Sequence, residues 1–183
     1  NVLSHFEEAV RYFAAAEGED ASVGQANAMS MIGQVHQLTG EYTQATESIA
    51  AAIKLWDSML EDSKNRVQFL DGLAKSRIDQ ANVLRLTGHD ATASYKSMVD
   101  VSKRLVKLRP GIPRYRFNLG AAQLGLAWSL NRNGKTEDAR EMAFDTVDTF
   151  VFLGDPSYQD IKFSYGGATA WTLLAEIQRD RGE

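Results

Sequence analysis

A glycine recurs along this chain at a nearly fixed interval: Gly40, Gly88, Gly134 and Gly182, separated by 48, 46 and 48 residues. An alanine follows five residues after each of the first three, at Ala45, Ala93 and Ala139. A period in this range marks a repeat architecture, whose units bury their apolar faces against their neighbours. Breakers keep the same phase: Ser63, Pro110 and Pro156 lie 25, 24 and 26 residues before Gly88, Gly134 and Gly182. Each unit therefore reads as a break, a long helix A, a glycine-centred turn and a helix B. Glycine suits such a turn because it takes the left-handed conformation without a Cβ clash.

The pattern predicts helices near 2–16, 22–39, 41–60, 64–87, 90–108, 113–133, 136–153 and 157–181. They group as an orphan B helix in 1–20, repeats over 21–62, 63–109 and 110–155, and an unpaired final A helix in 156–183. Helical spacing supports the assignment. Ala45, Ile49, Ile53, Trp56 and Leu60 step by 4, 4, 3 and 4, and Met98, Val101, Leu105 and Leu108 step by 3, 4 and 3. Asp62-Ser63 can cap the helix that follows, and Gly154-Asp155-Pro156-Ser157 reads as a stop and restart. The one strand-like run, residues 149–153, closes a helical pattern and is assigned to it.

Composition bounds the class of work. Three prolines in 183 residues permit long helices. A net charge of −4 gives no general reason to expect nucleic acid. No cysteine is present, so thiolate sites and disulfides are excluded. No stretch approaches the ~20 apolar residues of a membrane span. A cytoplasmic protein without membrane contact is expected. The chain opens at Asn1 without methionine, and Gly182 is a turn glycine with no helix after it. The expectation is an excised piece of a larger protein.

Aligned on its glycine, the first unit reads Met29-x-x-Ile32-Gly33-x-x-His36-x-x-x-Gly40-x-Tyr42-x-x-Ala45-x-x-x-Ile49-x-x-Ala52. Small residues Gly33, Ala81, Ala127 and Ala175 stand seven before each glycine, and the last unit carries Trp171-x-x-Leu174-Ala175. This resembles the tetratricopeptide repeat, with a longer period than the usual 34 residues. Gln80, Ser97 and Ala143 depart from the pattern. Phe69, Tyr115 and Phe163, each 19 before a glycine, show that the extension is itself repeated. The chain is similar to long-period arrays beside bacterial Ser/Thr kinase domains and signalling ATPases. The resemblance implies an all-α fold: a right-handed superhelical stack of about eight helices in antiparallel pairs, an α-solenoid.

Catalytic and metal chemistry find little support. His5, His36 and His89 lie on different elements, and no acid stands at a metal-motif spacing. There is no nucleophile elbow, and Gly166-Gly167 is not followed by the Lys and Ser/Thr of a phosphate loop. That pair reads as a close helix contact. No enzyme activity, cofactor or metal is expected.

Two surfaces remain. The resemblance implies that the A helices line a concave groove. Gln34, Asn82, Trp128 and Glu176 then form one row, and Gln37, Arg85, Asn131 and Arg179 a second. Amides and guanidiniums can pair a peptide's backbone and charges, and Trp128 can bury an apolar anchor. The other reading of Trp128 is packing between helices. The second surface is basic: Lys103, Arg104, Lys107, Arg109, Arg114 and Arg116 fall together without an acid. Helix-dipole compensation and an anion-binding edge are both open readings of that segment. The expected function is a non-catalytic scaffold or regulatory module that binds a protein or peptide in its groove. The alternatives are homodimerisation through terminal helices bearing Phe144, Phe150, Phe152, Trp171 and Leu174, and a small-molecule sensor.

Overall fold

The computed structural model describes the backbone of residues 2–62, 66–153 and 161–181, and the side chains of 2–61, 67–151 and 166–179. These residues form eight α-helices and no strand. In order they are α1 (Val2–Ala15), α2 (Glu19–Thr39), α3 (Tyr42–Asp62), α4 (Arg66–Leu86), α5 (Thr92–Leu108), α6 (Pro113–Arg132), α7 (Thr136–Leu153) and α8 (Ile161–Arg181). The all-α expectation and the number of helices hold. Helix α2 begins at Glu19, three residues early, because Glu19 and Asp20 place carboxylates in its first turn after Gly18.

The glycine period is a period of helix stops. Gly40, Gly88 and Gly134 have φ of 81°, 76° and 74°. After each, the next amide reaches back to a carbonyl five residues earlier: Glu41 to His36 at 2.8 Å, His89 to Leu84 at 2.8 Å, Lys135 to Leu130 at 2.9 Å. That bond and the shorter one from the glycine itself satisfy carbonyls the helix end would otherwise leave open. Gly182, Ser63 and the Gly154–Ser157 stop lie outside the described residues, as does the side chain of Asp62, whose backbone ends α3.

The chain divides into two units, Asn1–His89 and Asp90–Glu183, inside the expected second repeat. In the first, α1 packs on α2, α2 on α3 and α3 on α4, and α2 also touches α4. The stripe Ala45, Ile49, Ile53 and Trp56 is buried as the spacing predicts. A Cβ at Gly33 would stand 2.5 Å from Ile49 Cγ1, so glycine lets α2 and α3 meet there. Phe69, from the repeated extension, is buried against Trp56 with ring centroids 6.2 Å apart.

In the second unit α5, α6, α7 and α8 pack in sequence, and α6 also touches α8. Met98, Val101 and Leu105 of α5 are buried, as are Tyr115, Leu126, Val147, Leu173 and Ile177. Leu108 departs from the α5 stripe: it is 47% exposed, at the last residue of the helix. Ala127 is buried like Ala81, whereas Ala175 is exposed, since no described helix covers that side of α8. Phe150 and Leu174, expected on an uncovered edge, lie inside the unit. Phe144 and Trp171 are exposed, and Phe152 and Phe163 fall outside the described side chains. Gly166 gives Phe150 its close contact, whereas a Cβ at Gly167 would meet Phe150 Cβ at an ordinary 3.5 Å.

Candidate functional site

In the first unit the A-helix face is built on α2 and α4, which meet through polar rungs. Ser30 and Ser76 share a buried hydroxyl bond of 2.8 Å, and Gln34 Nε2 donates to Asp79 Oδ2 at 2.9 Å. Gln34 therefore departs from the sequence expectation. Its amide is committed to an internal carboxylate rather than offered to a ligand, because the α2–α4 register puts Asp79 opposite it. Gln37 and Asn82, three residues further along each helix, are half-buried, and Arg85 is exposed.

Burial pushes the Asp79 carboxyl above its ordinary 3.8, and the Gln34 hydrogen bond works against that shift. A raised carboxyl holds its proton more tightly in the fold than in the unfolded chain. It therefore costs stability at neutral pH, and the cost fades as pH falls through its folded value toward 3.8. Asp79→Asn keeps an acceptor for Gln34. Thermal melts should show the variant above wild type at neutral pH, with the gap closing in acid. A variant that melts at or below wild type at neutral pH would contradict this.

In the second unit the corresponding face lies on α6 and α8. Trp128 is 41% exposed, so it does not pack away between helices. Asn131 and Glu176 are half-buried and Arg179 is exposed. The segment carrying Trp128 is held from behind. Asp90 Oδ1 accepts from the Thr92 amide at 2.8 Å and from Ser129 Oγ at 3.3 Å. Thr92 and Ser129 hydroxyls lie 2.7 Å apart, and Asn133 Nδ2 donates to Thr92 Oγ1 at 3.1 Å. These bonds, led by those from Thr92, hold the Asp90 carboxyl down at about 2. The stabilising charge is thus present at neutral pH and is lost as pH falls from 3.8 through about 2.

This network is the site feature that the repeat alignment does not reveal. Its one local signal is Asp90-x-Thr92 two residues after the turn glycine Gly88, a side-chain turn at a helix start. The first turn is pinned differently: His36 Nδ1 and Glu41 Oε2 lie 2.6 Å apart, and Thr39 Oγ1 donates to the same carboxylate at 3.0 Å. These contacts hold the Glu41 carboxyl below its ordinary value, the His36 bond most of all. His36 is therefore a turn clasp rather than a ligand. His89 pairs with Thr87 at 2.9 Å. Among the described residues no group of three His, Asp or Glu could hold a metal.

The six basic residues converge on one place, the end of α5 and the start of α6. Lys103, Arg104, Lys107, Arg109 and Arg114 are exposed and Arg116 is half-buried. The Arg114 guanidinium lies over the Tyr115 ring, 5.2 Å from its centroid. Among the described residues no helix is long and apolar enough to cross a membrane.

No protein-family model matches this chain, and no curated protein matches it. Among solved structures it is similar to BtubC (BKLC) from P. vanneervenii, with a TM-score of 0.58 and 12% sequence identity. The match covers 98% of this chain and 65% of the other, so the chain spans about two thirds of that protein's length. At that identity the likeness bears on fold alone.

Proposed function

We propose that this chain is a non-catalytic docking module that holds a peptide or partner helix on its A-helix faces. The carrying observation is Trp128: an indole 41% exposed on a segment clamped by Asp90, Thr92, Ser129 and Asn133. An aromatic anchor held rigidly before binding loses little entropy when a partner arrives. Asn131 follows one turn later on α6, and Glu176 and Arg179 take the equivalent positions on the adjoining α8. They offer a peptide an amide and charges of both signs. On the first unit Gln37, Asn82 and Arg85 make the equivalent face, with Gln34 held internally. The tetratricopeptide resemblance supports a superhelical stack of these helix pairs, and a place in a cytoplasmic bacterial signalling protein.

Peptides selected from a random display library against the full chain test the reading. Trp128→Ala should weaken the selected peptides by about tenfold or more. Arg179→Ala should weaken those that carry an acid. Retention of full affinity by Trp128→Ala would remove the site. The exposed Phe144, Val151 and Trp171 favour a second reading, self-association through α7 and α8. In that case the chain itself, not a peptide, competes for the surface.

A further inference from the structure

Charge is segregated along this chain. From residue 101 to residue 136 there are eight cations and no acid, while the remainder carries twelve cations and twenty-four acids. Six of the eight cluster at the α5–α6 turn. Lys103, Arg104 and Lys107 lie on the exposed face of α5, away from the buried Val101 and Leu105. The side chains of these three and of Arg109 make no hydrogen bond or ion pair among the described residues.

Helix-dipole compensation explains the cations ending α5. It does not explain Arg114 and Arg116, which open α6 at its positive end. Helices α2 and α7 place acid pairs there instead, Glu19-Asp20 and Glu137-Asp138. A choice made against local helix preference is the kind that function maintains.

The patch also has an apolar centre. Leu108 is 47% exposed and Ile112 is 42% exposed. Two of the chain's three prolines, Pro110 and Pro113, bracket Gly111-Ile112. The turn is tied by Arg109 N–H to Leu105 O at 2.9 Å and Ile112 N–H to Arg109 O at 3.2 Å. Fixed proline φ angles and these bonds set the turn before any partner arrives.

We infer that the α5–α6 turn is a second docking surface, which takes an acidic peptide segment: a run of Asp and Glu around an apolar residue that seats on Leu108 and Ile112. Cations spread over residues 103–116 match charges distributed along a strand of peptide better than a single phosphate, which needs donors converging on one point. A membrane or a nucleic-acid duplex presents negative charge over a wider area. The six cations span a single helix–helix turn, a footprint that suits a narrow segment.

The probe is a fluorescein-labelled peptide of mixed Glu and Asp with a central Leu-Leu pair, titrated with the full chain by fluorescence anisotropy. Its affinity should fall about tenfold or more between about 0.05 M and about 0.3 M salt. The exposed triple variant Lys103→Glu, Arg104→Glu, Lys107→Glu should lose at least about tenfold. Ile112→Ser should lose several-fold at both salt levels. Trp128→Ala should bind the probe like wild type, which separates this surface from the A-helix face. Binding of the triple variant at wild-type strength would overturn the inference. So would binding to phosphatidylserine vesicles or duplex DNA without binding to the peptide.

Discussion

Phe150→Ala is expected to destabilise the second unit by about 3–5 kcal/mol. The ring is 3% exposed and is gripped from two helices. On α6, a Cβ at Gly120 would lie 2.7 Å from its Cζ; on α8, a Cβ at Gly166 would press still closer on the same ring. Phe117 meets it edge-on with centroids 6.0 Å apart. Removing the ring opens a cavity shared by three helices, and collapse is opposed because glycine offers no side chain to move inward. The reverse change is informative as well. Gly120→Ala should cost about 1–3 kcal/mol by overpacking. Urea melts followed by circular dichroism would check both. A Phe150→Ala protein within about 1 kcal/mol of wild type would show that the ring does not join α6 to α8.

Trp56→Ala should cost a similar amount in the first unit, about 3–5 kcal/mol. Trp56 is fully buried, its six-membered ring lies over Gly72, and a Cβ there would stand 2.5 Å from Cε2 and Cζ2. Its Nε1 is buried with no hydrogen-bond partner among the described residues. That orphan donor opposes the gain from burying the ring. Trp56→Phe discards the donor and keeps most of the apolar area, so it should lose far less than Trp56→Ala. Equal losses for the two variants would mean that the indole N–H is satisfied in solution and that no orphan donor opposes burial of the ring.

These two sites also mark how far the sequence can be read. The turn glycines are legible because a left-handed residue is a local demand, and one residue type meets it. A second glycine spacing runs beside the first. Gly24, Gly72 and Gly166 stand sixteen residues before Gly40, Gly88 and Gly182, and Gly120 stands fourteen before Gly134. Their purpose is not local. Gly24 faces Phe13, Gly72 faces Trp56 and Gly166 faces Phe150, each from the preceding helix, whereas Gly120 faces Phe150 from the following one. The sixteen-residue offset of Gly72 to Trp56 recurs at Gly166 to Phe150 but not at Gly24 or Gly120, so the full set of pairs emerges only from the packing.

The same holds for the site. Trp128 is legible as an A-helix position, but its exposure depends on which neighbours reach it. Gln34 looks equivalent to Trp128 by alignment, and only the α2–α4 register reveals that Asp79 occupies it. Phe144 and Phe150 differ by six residues, about 120° around a helix, so only one of them can face the core. Composition cannot say which; the structure buries Phe150.

The most direct test of the docking account is hydrogen exchange on the full chain, with and without a display-selected peptide. The account predicts slowed exchange in the last turns of α6 around Trp128 and Asn131 and in α8 around Glu176 and Arg179, with the outer face of α7 unchanged. Protection confined to α7, or to no segment of α6 and α8, would contradict it.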